Sequence, residues 1–331
     1  MPAPRFDLCG IGNAIVDVVT PVPEAFLSKH DMQKGGMALI SSAQAEAIYA
    51  SMPTGQESSG GSAANTCAVA SGLGARVAFL GKVADDVLGQ VFRHDITASG
   101  VAFPTAPLRG GAPTARCLIA VTPDGQRTMS TFLGACVSFG PEDLDEDLIA
   151  ASAVTYLEGY LFDPPHAQAA FLRAAAVAHA AGRQVALSLS DAFCVDRHRA
   201  AFRDLVAGHV DILFANESEI CALYEEGEFD RAAARAGRDV MLAALTRAEA
   251  GSLVLHSKGG AGDERIEVEA EPAKVVDTTG AGDAYAAGFL AGMAAGKPMA
   301  ACGRLGSRAA AAVIGQYGAR PLMDLRALAA G

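Results

Sequence analysis

Asp283 is the side chain in this sequence best placed to move a proton. It closes the run Asp277-Thr278-Thr279-Gly280-Ala281-Gly282-Asp283, and an apolar stripe follows it. Ala286, Phe289, Leu290 and Met293 fall at the i, i+3, i+4, i+7 spacing of a buried helix face. That spacing predicts a helix beginning near Gly280, with the amides of Gly280, Ala281 and Gly282 unpaired by the helix itself. Small residues let an anion come close to those amides, and the positive end of the helix dipole favours it there. A carboxylate in such a first turn is stabilised as the anion and can accept a proton. An anion cradle beside a base suits transfer of a phosphoryl group to a hydroxyl. The competing reading is plainer: Asp283 complements a helix start and the glycines make a turn.

Three other clusters carry polar groups at element ends. Gly60-Gly61-Ser62-Ala63-Ala64-Asn65 opens a second apolar helix. Glycine there lets a hydroxylated ligand approach the backbone, and Asn65 can both donate and accept; a flexible helix entry is the alternative. Asn13 and Asp17, four apart, share a face if the segment is extended, and can pair with vicinal hydroxyls of a sugar ring. A solvated turn carboxylate is the other reading. Asn216-Glu217-Ser218-Glu219 follows a strand-like run, where one carboxylate can hold Mg²⁺ directly or through water. An acidic helix start competes with that.

Several familiar chemistries are excluded. There is no Gly-x-x-x-x-Gly-Lys-Ser/Thr run, and Gly10-Ile11-Gly12 lacks the third glycine and following helix of a dinucleotide site. The seven histidines lack metal spacing. The seven cysteines are odd in number with no Cys-x-x-Cys pair, which suits reduced thiols in a cytosol. A net charge of −11 without a Lys/Arg cluster argues against nucleic acid or acidic membrane as partner. No stretch is long and apolar enough to span a bilayer, and the N-terminus lacks the features of a signal peptide. The expectation is a cytoplasmic protein.

The 331 residues, 51% hydrophobic with 36 glycines, suit one large α/β domain, 1–331. Strand candidates are Phe6–Ile11, Val77–Leu80, Val154–Glu158, Gln184–Ser188, Ile212–Ala215 and Ser252–His256. Helix candidates are Ala63–Leu73, Val87–Ser99, Ala167–Ala181, Arg197–Ala207, Ser218–Tyr224 and Arg231–Leu245. The alternation predicts a three-layer α/β/α fold around a mostly parallel central sheet, with ligands at the carboxyl ends of its strands. Segments 14–40 and 102–133 break the pattern. Arg116–Val121 and Arg127–Phe132 flank Pro123-Asp124-Gly125 as a hairpin. The two segments read as a small β lid, or alternatively as edge strands of the main sheet.

Taken together, these motifs resemble the ribokinase family of carbohydrate and nucleoside kinases. Gly60–Asp86 is similar to its N-terminal signature, Asp277–Gly292 to its C-terminal one, and Asn216–Glu219 to its Asn-x-x-Glu element. The resemblance implies ATP as co-substrate with Mg²⁺, and phosphorylation of a hydroxymethyl group. Asp283 would be the base, and Gly280, Ala281 and Gly282 the anion hole. Asn216 and Glu219 would act on nucleotide and Mg²⁺ through water. Ser257 and Gly259, in His256-Ser257-Lys258-Gly259, resemble the family's Thr-x-Gly element near the nucleotide, with a histidine and lysine that depart from the commoner pattern.

Gly12-Asn13-Ala14-Ile15-Val16-Asp17 resembles the start of the adenosine-kinase branch. That implies substrate contacts from Asn13, Ile15, Asp17, Gly61, Ser62 and Asn65. The segment Asp124–Gly134 resembles the branch's lid strand, with Arg127 reaching over the phosphates. Met37, Leu39, Met129, Thr131 and Leu133, with Tyr160 nearby, match its base pocket, and this largely apolar set favours a nucleoside over a hexose. The resemblance therefore implies conversion of adenosine to AMP. A sugar kinase acting on ribose, fructose or a keto-sugar acid is the alternative, and a non-catalytic ligand sensor a more distant one. ATP, GTP and ADP all suit the cradle. The Asp277–Thr279 carbonyls offer a place for K⁺. Monomer and homodimer both remain open.

Overall fold

The structure, a computed structural model, describes residues 3–257, 263–321 and 323–329. Fourteen strands occur among them: β1 Phe6–Ile11, β2 Ile15–Pro21, β3 Met37–Leu39, β4 Gln56–Gly60, β5 Val77–Leu80, β6 Val101–Ala102, β7 Ala115–Val121, β8 Arg127–Phe132, β9 Ser152–Glu158, β10 Gln184–Ser188, β11 Ile212–Asn216, β12 Leu242–Thr246, β13 Ser252–His256 and β14 Glu264–Val268. The α-helices are α1 Glu24–Lys29, α2 Ser42–Ser51, α3 Ser62–Gly72, α4 Val87–Ala98, α5 Glu146–Ala150, α6 Pro165–Ala180, α7 Ala192–His209, α8 Glu217–Tyr224, α9 Phe229–Asp239, α10 Ala281–Ala294, α11 Met299–Ile314 and α12 Arg326–Ala329.

Nine strands form one sheet in the order β14-β13-β12-β11-β10-β9-β1-β5-β6. It is parallel from β12 to β6, and antiparallel where β13 and β14 are added. Its strands from β12 to β5 in that order are largely buried on both faces and read as apolar runs, whereas edge strand β14 alternates, with Arg265 and Glu267 exposed. Alternate residues feed two cores. Val77 and Phe79 face α3, α4, α10 and α11, while Ala78 and Leu80 face the side of α5 to α9. This is the expected three-layer α/β/α fold.

Two helix expectations need correction. The predicted helix over Arg231–Leu245 ends at Asp239, and Leu242–Leu245 belongs to β12. Leu-Ala-Ala-Leu is a short apolar run that helix and strand share, and pairing beside β11 decides it. Helix α7 begins five residues before the expected Arg197, because Asp191 caps it by accepting from the Phe193 N–H at 2.7 Å.

The lid is a separate five-stranded sheet in the order β3-β8-β7-β2-β4. The hairpin of β7 and β8 is present as expected. Strand β4 and helix α2 join the lid from outside segments 14–40 and 102–133, and β6 within the second segment pairs with β5 in the main sheet. Among the described residues no helix is long and apolar enough to cross a membrane.

Candidate active site

Chain order places a crevice between β1 and β9. The chain runs from β1 through the lid to β5 on one side, then returns to add β9 on the other. Such a reversal leaves a gap at the carboxyl ends, where ligands bind. Gly12 and Asn13 leave β1 there, and Glu158 ends β9 beside them.

Sequence reasoning missed Glu158. It is 1% exposed, yet its carboxylate accepts from Asn13 N–H at 3.2 Å, Asn13 Nδ2 at 2.7 Å and Ala63 N–H at 2.7 Å. Burial pushes it up to about 7, against those three hydrogen bonds. A Cβ on Gly12 would lie 2.3 Å from its Oε2, so glycine is required there. The only signal in the sequence is a charge that ends the apolar run Val154–Leu157 before a glycine. Because Asn13 gives its NH₂ to Glu158, its Oδ1 is left as an acceptor. Glu158→Gln would set an NH₂ against one of these donors. We expect KM for the acceptor to rise about tenfold with cooperative unfolding retained, since one buried N–H loses its partner. An unchanged KM would remove Glu158 from this role.

Helices α3 and α10 both begin at the same place. Neither has a side-chain cap: Gly61, with φ 96°, precedes α3, and Gly280, with φ 78°, precedes α10. Positive φ is the region glycine enters without strain. Ser62 donates to Asp283 Oδ1 at 2.6 Å, tying the two starts together. Two positive dipole ends therefore meet at the base. The cradle differs from expectation in one amide, because Ala281 N–H is taken by the Thr278 carbonyl at 3.2 Å. Gly280 and Gly282 keep theirs, and nothing lies within 4 Å of a Cβ built on Gly282, so the space over it is open. Burial pushes Asp283 up to about 6; Ser62, Asn65 and Arg320 oppose that and Asp17 adds to it.

Asp17 lies on β2 with its carboxylate over Gly60, where a Cβ would come within 2.3 Å of it. Burial raises it to about 6, against the charges of Arg320 and Arg127. Register puts Asp17, Cys117, Thr131 and Leu39 in one cross-strand row, with Met37 and Met129 in the next row on the same face. The expected base-pocket residues thus share a lid face with Asp17. Ile15 is half-buried and pairs with Gly60, and Leu133 follows directly on β8. Met37 and Leu39 are over half exposed, as is Phe193 at the start of α7; Tyr160, following β9, is less so. Phe193 was also missed. It lies in the first turn of α7, just past the carboxyl end of β10, and follows a loop whose Ser190 hydroxyl accepts from Tyr160 N–H at 3.3 Å.

Arg127 crosses from the lid to the core. It forms an ion pair with Asp277, whose carboxylate also accepts from Thr279 and from Gly318 N–H at 3.1 Å. Although burial raises Asp277, those bonds and Arg127 hold it below the ordinary carboxylate value. Arg127 is therefore held at the base of the cradle.

Asn216 and Glu219 form a reciprocal cap on α8. Asn216 Oδ1 accepts from Glu219 N–H at 2.9 Å, and the Glu219 carboxylate accepts from Asn216 N–H at 3.0 Å. Burial, with Asp191 and Asp283 nearby, raises Glu219 to about 7. No group of three or more His, Cys, Asp or Glu able to hold a metal directly occurs among the described residues. Glu219, with Asp191 nearby, is the group that would hold a cation through water, as Mg²⁺ prefers.

One assignment is overturned. Ser257 donates its N–H to the Met241 carbonyl, one residue before β12 begins. Strand β13 runs antiparallel, so its last residue lies beside the first residue of β12, at the opposite end of the sheet from Glu158 and Asn216. That is about 15 Å from the crevice at ~3.3 Å per residue. Gly259 lies outside the described residues. Thr246 instead stands in register with Asn216 at the carboxyl end, followed by Ala248 with φ 49°.

The chain resembles known proteins in sequence and in fold. The family model described as pfkB family carbohydrate kinase matches residues 39–325. The fold is similar to the crystal structure of adenosine kinase from Sinorhizobium meliloti, at 51% identity, TM-score 0.88, and 98% and 99% coverage of this and that chain. It is also similar to a probable sugar kinase protein from Rhizobium etli CFN 42, at 46% identity, TM-score 0.89, and 99% and 98% coverage. The sequence is 27% identical over 332 residues to adenosine kinase of Saccharomyces cerevisiae, covering 93% of this chain and 94% of that protein.

Proposed function

This chain belongs to the pfkB family of carbohydrate kinases, and from that premise we propose that it transfers the γ-phosphoryl group of ATP to the 5′-hydroxymethyl of a nucleoside, adenosine first, giving AMP. Membership makes it a phosphotransferase with an alcohol acceptor. The observation that carries the nucleoside reading is the lid face on which Asp17 shares a row with Thr131 and Leu39, beside Met37 and Met129. A polar end followed by an apolar one matches ribose followed by a base. Tyr160 and Phe193, just past the carboxyl ends of β9 and β10, offer exposed aromatic surface.

In this reading Asn13 Oδ1 and Asp17 accept from ribose hydroxyls, while the Asn65 NH₂ donates. Asp283 takes the 5′-hydroxyl proton as oxygen attacks phosphorus. The cradle at Gly280–Gly282 and the two helix starts hold the charge on the transferred group, so alignment and electrostatics do most of the work. Arg127, paired with Asp277 rather than extended over the phosphates, ties the lid to the base of the cradle, and the lid excludes water. Asn216 and Glu219 would hold Mg²⁺ through water, and the ion, when bound, neutralises phosphate charge. The carbonyls of Asp277–Thr279 remain the place for a monovalent cation.

The base must be ionised to act. Asp283 sits at about 6, so activity is present above that pH and lost as pH falls through it. We expect kcat/KM to drop about tenfold per pH unit on the acid side. A flat profile down to pH 4.5 would contradict the assignment.

A sugar kinase is the second reading, favoured by the buried pair of Glu158 and Asn13 with half-buried Asp17 and by the likeness to the Rhizobium etli protein. Turnover of adenosine, inosine, ribose and fructose, each with ATP, separates the two. We expect adenosine to exceed ribose in kcat/KM by about a hundredfold or more, because the apolar face contributes only when a base is present. Equal or better use of a free sugar overturns the nucleoside reading.

A further inference from the structure

Arg320 follows α11 and lies 255 residues from Asn65 along the chain, yet its guanidinium joins three elements. Nε donates to Asn65 Oδ1 on α3 at 3.0 Å. Nη1 donates to Ser59 Oγ on lid strand β4 at 2.7 Å and to Asp95 Oδ2 on α4 at 3.1 Å. Asp95 also accepts from Ser59 N–H at 2.8 Å, so strand, helix and arginine close a ring. Nη2 is buried without a partner. An arginine in a folded protein keeps its charge, and a buried donor left unpaired costs stability. Packing alone is a poor reason to place a cation there.

We infer that Arg320 is a positioning residue for phosphoryl transfer: it fixes the Asn65 amide with its NH₂ toward Asp283, and anchors that amide to the lid strand through Ser59. The inference rests on the kinase reading for its consequence, but its geometry does not. Since Arg320 occupies Asn65 Oδ1, only the NH₂ of that amide is left to face the base. The two asparagines are thereby oriented oppositely, Asn13 offering an acceptor and Asn65 a donor. The groups facing Asp283 are Ser62 and Asn65 on α3, Asp17 on β2, Tyr156 and Glu158 on β9, Tyr160 after it, Glu219 on α8, and Arg320. Arg320 is the cation in this set. Its charge favours ionised Asp283 against the surrounding carboxylates.

The test pairs kinetics with a direct titration. Asp283 is followed by ¹³C NMR of labelled aspartate carboxyls, its signal assigned by its loss in Asp283→Asn. In Arg320→Gln we expect that titration and the acid limb of kcat both to move up by about one pH unit, the effect of removing a nearby opposite charge. In Arg320→Lys the charge stays, so the limb stays near wild type, while kcat falls about tenfold because an ammonium lacks the planar fork that spans Asn65 and Ser59. Combining Arg320→Gln with Asn65→Ala should cost little more than Asn65→Ala alone. Wild-type titration in folded Arg320→Gln, or additive losses in the double variant, overturns the inference. If Arg320→Gln does not fold, wild-type kcat in Arg320→Lys overturns it. Should wild-type protein phosphorylate no acceptor, the kinase reading fails, and the NMR titration still decides the role of Arg320.

Discussion

Asp283→Asn is expected to lower turnover by about 10²- to 10⁴-fold, the range for losing a general base, with the fold intact. Asparagine matches aspartate in shape and keeps an oxygen that can accept from the Ser62 hydroxyl, now at 2.6 Å from Oδ1. It cannot take a proton. The variant also replaces a carboxylate whose burial raises it to about 6, so it gains rather than loses folding stability from that change. Asn13, Asp17 and Asn65 are untouched, which leaves acceptor KM within a few-fold. The acid limb of the residual activity should change shape as well, because Asp283 no longer contributes to it while Glu158 and Glu219, at about 7, and Asp17, at about 6, still titrate. Turnover within threefold of wild type, with the limb preserved, would assign the base elsewhere.

Gly280→Ala should be nearly as damaging, for a different reason. Gly280 has φ 78°, and a Cβ there would meet Ala319 Cβ at 2.6 Å and its Cα at 2.8 Å. The left-handed backbone costs an L-residue about 1–2 kcal/mol. Relief of the clash requires moving either the cradle or the segment that carries Gly318, Ala319 and Arg320. Since Gly318 N–H reaches Asp277 and Arg320 reaches Asn65, either movement misaligns the site. We expect kcat to fall about 10²- to 10³-fold, as when an oxyanion donor is lost, with a lower Tm. Gly282→Ala is the contrast. No protein atom lies within 4 Å of its Cβ, so Tm should hold while KM for ATP rises. Equal, mild effects at both positions would show that no anion sits over this turn.

Much of the site was legible before any tertiary structure. The start of α10, its buried stripe, the glycine entry to α3 and the β7–β8 hairpin all follow from spacing within about two dozen residues. Local hydrogen bonding and side-chain periodicity are enough to set them. The base-pocket set, by contrast, comes from the family resemblance and shares a face only through pairing of β3 with β8. The errors have an equally physical origin. The resemblance to a Thr-x-Gly element sets Ser257 beside the nucleotide, but a motif does not reveal strand direction. Pairing β13 antiparallel to β12 carries Ser257 to the far end of the sheet. Leu242–Leu245 reads as helix in isolation and becomes strand only because β11 offers it a ladder.

Glu158 and Arg320 could not be found by spacing at all. One reaches Asn13 across 145 residues and the other Asn65 across 255. Neighbours along the chain set where the glycine-headed helix α10 starts, that Asp283 stands in its first turn, and the layered α/β/α architecture around it. Only the tertiary structure decided that β9 returns beside β1, that Asp17, Glu158, Glu219 and Asp283 crowd one crevice, and that an arginine from the C-terminal segment tempers their charge. Proton affinity depends on distance through space and on exclusion of water, and both arise only when strands far apart in sequence pair.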